Sequence, residues 1–275
     1  MKYHQILAAL SGPLLITPES HASIFKLFTD HARLSPAEFQ ATREGVDFCG
    51  EAVELPQMEI IDGVAHIPIG GPLGRGLGKF EKGAGADDYG DIADEVGQAD
   101  GDDSVAGILL DIDSPGGMFS GLPELSDQIA RVEKPIYAYS AGLMCSAAYW
   151  IGASCDMIFC TKTATIGNVG VYCAYLDQSK AYEDAGYKVD LFTSGKYKGA
   201  GYPGTSLTKD HRQMLTDEIK EMAEMFYEHV LANRSDVVPA DMQGQAFLGV
   251  RAEAAGFADK VVAGKDEVVS LLTGV

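Results

Sequence analysis

Basic residues are scarce in this chain: 21 Lys and Arg stand against 40 Asp and Glu, a formal net charge of −19. A surface of that sign repels phosphate backbones and anionic headgroups, so a sequence-independent grip on nucleic acid or on an acidic membrane is excluded. Cysteine is sparse as well. The five (Cys49, Cys145, Cys155, Cys160, Cys173) are odd in number and contain no C-x-x-C pair. That argues against a disulfide framework or structural zinc site and fits a reducing compartment. Long apolar runs are missing too. Met1 to Ile16 comes nearest, but Gly12 and Pro13 interrupt it well short of the roughly 20 residues a spanning helix needs. Ser20-His21-Ala22 makes a poor cleavage site, so the run reads as a docking segment rather than a membrane anchor or signal peptide. What is present is ordinary: 46% hydrophobic and 22% charged residues over 275, with Gly and Pro spread throughout. This is a soluble globular composition, and it excludes disorder, collagen and coiled coil as the dominant state.

Residues 1–50 read as an N-terminal helical arm, because Ile24, Phe25, Leu27 and Phe28 cluster on one side and Ser35-Pro36-Ala37-Glu38 is a capping box with Pro at the first helical position. The body, residues 51–275, shows a different period. Met58–Ile61 and Val64–Ile69 are apolar runs joined by Asp62-Gly63, a strong hairpin signal. Gly70–Gly85 reads as a loop. Asp87–Asp103 is rich in acid around Tyr89, Ile92 and Val96; without a D-x-D-x-D-G loop and closing Glu it reads as a solvated helix face, not a metal site.

Strand and helix then alternate. Val105–Ile112, Ile136–Tyr139 and Met157–Cys160 are expected strands, with helices at Leu122–Val132 and Ser146–Ala153. Val169–Ala174 and Val189–Phe192 are expected to be strands flanking a helix at Gln178–Asp184. A long helix over Lys209–Ala232 is capped by Thr208 and carries Leu215, Ile219, Met222, Phe226 and Val230 on one stripe. Such alternation specifies a parallel or mixed sheet covered by helices.

Three segments carry the chemistry. Asp113-Ser114-Pro115-Gly116-Gly117 follows a strand, and its glycine pair leaves backbone N–H groups open to a substrate; an ordinary tight turn would suit it equally. Ala138–Trp150 runs from a strand through small residues into a helix, placing Ser146 where a polypeptide could reach its hydroxyl, although a capping Ser has the same look. Its spacing does not match the G-x-S-x-G elbow. None of the six histidines lies in either segment, so a Ser nucleophile needs another base. Thr193–Gly201 offers Lys196 and Lys198, and a desolvated lysine can lose its proton near neutral pH and serve.

Taken in order, S-P-G-G at 114–117, Cys145–Trp150, Ile166-Gly167-Asn168-Val169-Gly170-Val171 and S-G-K-Y-K at 194–198 resemble the S49 serine peptidases. These comprise the signal peptide peptidase A group and phage relatives that process capsid scaffolds. The resemblance continues through Gly244–Gly249 and Ala254–Asp259 and covers roughly residues 58–263. It implies a ClpP/crotonase-like α/β spiral, with Ser146 as nucleophile and Lys198, 52 residues later, as general base. The oxyanion donors implied are the N–H groups of Gly116 and Ser146, with Gly117 as alternate. No metal or organic cofactor is required. One departure stands out: the family pattern Ala-Ser-Gly-Gly is replaced by Cys145-Ser146-Ala147-Ala148.

The resemblance further implies a polypeptide substrate, and the start of the chain looks like the arm of phage-type members, favouring head maturation in the host cytoplasm or prohead over signal-peptide scavenging. A homo-oligomeric ring is expected, since the long helix with Met214, Met222 and Met225 and the apolar arm exceed what one body can cover, and the resemblance implies about eight subunits. Two readings compete: a crotonase-type acyl-CoA enzyme, for which the acidic chain lacks a basic patch, and a ring-forming assembly protein without hydrolysis, which the Ala147-Ala148 departure would suit.

Overall fold

The computed structural model describes residues 14–17, 57–83 and 85–274. The strands are β1 (Leu14–Ile16), β2 (Glu59–Ile61), β3 (Val64–Gly74), β4 (Asp87–Asp88), β5 (Gly107–Met118), β6 (Ile136–Ser140), β7 (Leu143–Cys145), β8 (Met157–Cys160), β9 (Thr165–Gly167), β10 (Ala246–Leu248) and β11 (Lys260–Val261). The helices are α1 (Lys79–Gly83), α2 (Tyr89–Gly101), α3 (Leu122–Ile129), α4 (Ala147–Ala153), α5 (Ser179–Asp184), α6 (Lys209–Asn233), α7 (Gly249–Ala254) and α8 (Lys265–Thr273). They build a curled, mostly parallel sheet with helices packed on it, the expected α/β class.

β5 is the axis of the sheet. β3 runs parallel to it from Val64↔Gly107 to Leu73↔Gly117 and covers one edge. The other edge is taken in turn by β6 at Ile108–Asp111, by β7 at Ser114↔Met144 and by β1 at Gly116–Met118. Alternation along β5 sends Ile108, Leu110 and Ile112 into a large core shared with α2, α3, α4 and α6, and Leu109 into a smaller one with Tyr139, Phe159 and Val268. A strand buried on both faces reads as a continuous apolar run, which is why Ile108–Ile112 is so plain in the sequence. The hairpin at Asp62-Gly63 forms as expected, with Ile61 opposite Val64 and both turn residues at positive φ. Thr208 caps α6 by accepting the His211 N–H, and Asp88 caps α2 by accepting the Gly90 N–H.

Four expectations need correction or qualification. Gly70–Gly85 is not a plain loop: β3 continues to Gly74 after a shift of register between Gly70 and Pro72, because buried Leu73 still pairs with Gly117. Asp113–Gly117 is not a strand-end turn but the second half of β5. Neither Val169–Ala174 nor Val189–Phe192 forms a strand; Phe192 is 93% exposed, and this apolar stretch finds no edge to pair with. The described part of the arm, Leu14–Ile16, is a strand rather than helix, while Ile24–Phe28 and the capping box at Ser35–Glu38 lie outside the described residues.

Candidate active site

Ser146 sits at the junction of β7 and α4, with φ 59° and ψ −118°. A non-glycine residue at positive φ is strained, and such strain persists only where the surroundings over-determine it. Here they do. The Ser146 N–H donates to Gly167 O at 2.8 Å, tying the turn to the end of β9, and the Ser146 carbonyl accepts the Trp150 N–H at 3.0 Å. Every residue from Ala147 to Ala153 is buried. Trp150 stacks on Phe226 and on His229, with Phe119 edge-on, while the Tyr149 hydroxyl donates to Phe257 O at 3.2 Å. The Ala147 and Ala148 methyls belong to this core, so the departure from the glycine pair fills the interior.

The far end of α4 is held by a residue that the sequence reading missed. Arg234 donates to Cys155 O at 2.7 Å and pairs with Asp259 at 3.0 Å, and Asp259 also accepts the Ile158 N–H. Nothing local in the sequence marks a buried Arg at a helix end. His229 was likewise passed over because it lies outside the glycine-rich motifs. It is within 3.1 Å of Trp150 O and 3.3 Å of Ser154 Oγ, on the α6 side of α4, and burial lowers its pKa.

The Ser146 side chain is 1% exposed and its Oγ has no hydrogen-bond partner. A buried hydroxyl without a partner is costly to keep and calls for a reason. Its neighbour Cys145 is not a rival nucleophile: burial pushes its thiol up to about 12, and Sγ is 3.4 Å from Thr165 O.

The glycine pair lies beside this turn in the sheet. Gly116 holds φ 105°, and a Cβ at Gly117 would meet Leu73 O at 1.9 Å, so neither position admits a side chain. The Gly116 N–H donates to Ser114 Oγ at 3.1 Å, and that hydroxyl donates in turn to Gly71 O at 2.6 Å. Ser114 therefore orients this end of β5 against β3 as well as marking it. Asp113 accepts the Leu143 N–H at 2.9 Å and fastens β5 to the start of β7.

Lys198 is exposed, in a turn where its N–H donates to Gly195 O, and it is not bonded to Ser146 Oγ. The two lysines are not on a strand, so alternation cannot decide between them. Their partners differ, however. Lys196 pairs with Asp210 at 3.0 Å and lies over the Tyr197 ring, and the bond to Asp210 raises its pKa. Lys198 makes no ion pair among the described residues. The structure thus gathers Ser146, Gly116 and Gly117 at one end of β5 and leaves Lys198 at the surface.

Comparison with known proteins settles the family. Residues 128–273 match the model of peptidase family S49. The chain belongs to that family. It is 32% identical over 214 residues to the capsid assembly protease C of Escherichia phage lambda, covering 76% of this chain and 49% of that protein. It is 29% identical over 288 residues to the head-tail preconnector protein GP5 of Enterobacteria phage P21, covering 99% and 57%. A putative signal peptide peptidase SppA of Enterococcus faecium is 27% identical over 176 residues, 62% of this chain and 51% of that one. The chain thus spans about half the length of the curated relatives it matches. Among solved structures, an enoyl-CoA hydratase/isomerase family member aligns with TM-score 0.46 and 18% identity over 79% of this chain and 74% of its own, a likeness too slight to carry function. No helix among the described residues is long and apolar enough to cross a membrane.

Proposed function

We propose that this chain is a serine endopeptidase acting through Ser146 and Lys198 on capsid or scaffold proteins during phage head maturation. The observation that carries the reading is the hydroxyl of Ser146, held on a strained and over-determined turn with no hydrogen-bonding duty of its own. Lys198 as free amine takes the Oγ proton while Oγ bonds to the peptide carbonyl carbon. The tetrahedral oxyanion is held by N–H groups drawn from Gly116, Gly117 and Ser146, which must first be released from their present acceptors, Ser114 Oγ for Gly116 and Gly167 O for Ser146. Collapse breaks the C–N bond, the proton passes from Lys198 to the leaving amine, and water then hydrolyses the acyl ester. The similarity to the phage proteins favours the capsid setting; the likeness to SppA keeps a signal-peptide-peptidase role as the second reading.

For this chemistry Lys198 must move onto Ser146. The segment that carries it exposes Leu176, Tyr187, Leu191, Phe192, Tyr197 and Tyr202. Apolar surface of that extent on a single chain fits burial against a second copy, which supports a homo-oligomeric ring in which assembly completes the dyad. Fluorophosphonate labelling tests the nucleophile. The expected result is one label per chain, abolished in Ser146→Ala together with at least about a thousandfold of peptidase rate. A folded Ser146→Ala protein that cleaves at wild-type rate rejects the assignment.

A further inference from the structure

The strand edge beside Ser146 is filled by the chain's own arm. β1 pairs antiparallel with the end of β5, in the register Leu14↔Met118, Leu15↔Gly117 and Ile16↔Gly116. Thr17 continues the ladder by donating its N–H to Pro115 O at 3.1 Å. This is the edge of β5 on which β7 lies, beginning two residues past Ser114↔Met144, and Ser146 directly follows β7. An extended peptide approaching Ser146 needs backbone donors and acceptors to align it, and adding a strand to a sheet edge supplies them. Here those groups are already engaged. Because exchanging and non-exchanging pairs alternate in an antiparallel ladder, the bonded pair at Thr17–Pro115 makes Leu15–Gly117 the next exchanging pair. The Gly117 N–H, one of the oxyanion donors, is thereby given to Leu15 O. The Ile16 side chain is 2% exposed, so the segment is seated by apolar burial as well as by backbone bonds. Ser146 Oγ is itself sealed from solvent, as a nucleophile beneath an occupied cleft would be.

From this placement we infer that Leu14–Thr17 is an internal, substrate-like ligand: an autoinhibitory strand that must leave the edge of β5 before a peptide can be cleaved. The inference rests on the reading of Ser146 as nucleophile. A cleft occupied by its own arm binds substrate with an affinity reduced by the fraction of molecules whose arm is out, and displacement by a tethered or locally concentrated substrate relieves it. The occupant also states what the cleft accepts: an extended chain running antiparallel to Pro115–Met118, with an apolar side chain at the position of Ile16.

The test measures acylation of Ser146 by a fluorophosphonate in the full chain. Leu14 and Met118 form a non-exchanging pair, whose short Cα separation suits a disulfide. In Leu14→Cys/Met118→Cys the oxidised form should be acylated at least about tenfold more slowly than the same protein after reduction, with the wild-type chain taken through the same cycle to account for its native cysteines. Ile16→Asp, which places a charge where an apolar side chain is buried, should be acylated faster than wild type by a similar factor. Equal rates in the locked and reduced forms overturn the inference, and so does an Ile16→Asp protein no faster than wild type. Label that survives Ser146→Ala, or is absent from every form, strikes instead at the nucleophile itself and removes the inference with it. Label that requires Ser146 but ignores the lock removes the arm's role alone.

Discussion

The two halves of the proposed dyad sit in opposite kinds of surroundings. Ser146 is enclosed by a helix buried along its whole length, clamped at its far end by Arg234 and Asp259 and stacked through Trp150 on α6. Lys198 sits in a segment held by short-range turns, with Phe192 and its aromatic neighbours facing outward. A nucleophile at a strained backbone position needs a rigid mould, because only dense packing keeps a residue at positive φ. A base has a different requirement. It must be desolvated at the moment of use, and a surface lysine becomes so only when something covers it. The contrast teaches that the fold shapes the surroundings of Ser146 but leaves Lys198 in solvent, so the proposed dyad requires a further step that covers the lysine.

The comparison can be broken most directly at the lysines. Lys198→Ala should lower peptidase turnover by about a hundredfold to ten-thousandfold, the usual worth of a positioned base, while Lys196→Ala, which loses only an exposed pair with Asp210, should stay within about threefold of wild type. Equal losses, or loss in Lys196→Ala alone, would move the base. On the rigid side, Trp150→Ala should destabilise the fold by about 3–5 kcal/mol in a denaturant melt, since the ring joins α4 to α6 through Phe226 and His229.

Phe192→Ser tests the open side. It should leave the unfolding free energy of the single chain within about 0.5 kcal/mol of wild type, yet reduce the mass seen by light scattering from a multiple of 29.2 kDa toward that value. An unchanged mass would argue that this segment faces solvent in the assembly too. The smallest effect is expected at His229. Burial is the main force holding its pKa down, with Arg234 adding to it and the bond to Trp150 O and the charge of Asp127 opposing. The unfolded chain therefore binds a proton that the folded chain resists. The stability contributed by the neutral ring is complete above the ordinary value of 6.5 and is lost as pH falls through the lower folded value. His229→Gln should flatten stability below pH 6.5 relative to wild type; parallel curves would show that the ring does not titrate there.

What could be read in the sequence was whatever local pattern encodes. The hairpin at Asp62-Gly63, the buried run Ile108–Ile112 and the cap at Thr208 each declare themselves within a few residues, and each formed as expected. Ser146 was singled out for a mixed reason: small residues around it are a local signal, but its proposed role came from the order of several motifs along the chain. The failures share a cause. Val189–Phe192 carries strand-like apolar residues, yet the fold offers it no edge to pair with and leaves Leu191 and Phe192 exposed, which no local periodicity reveals. Gly116 and Gly117 looked like a turn because glycine pairs usually are one, whereas here they let three strands meet at close approach. Arg234 and β1 act across the fold, and no pattern along the chain announces a partner so distant.

The enclosure of α4 also fixes when the site can come into being. Tyr149 is completed by the carbonyl of a residue 108 positions later, and the Arg234 clamp requires Asp259. At ordinary rates of synthesis, about 5–20 residues per second, that delay is on the order of 5–20 s after Ser146 leaves the peptidyl transferase centre. During that interval the Ser146 turn has its nearer ties, to Trp150 and Gly167, but lacks the packing that Phe257 and Asp259 bring to the helix behind it. The wide sequence separation of the mould from the residue it shapes thus acts as a timer: the enclosure of Ser146 is complete only when nearly all of the body described here has been made.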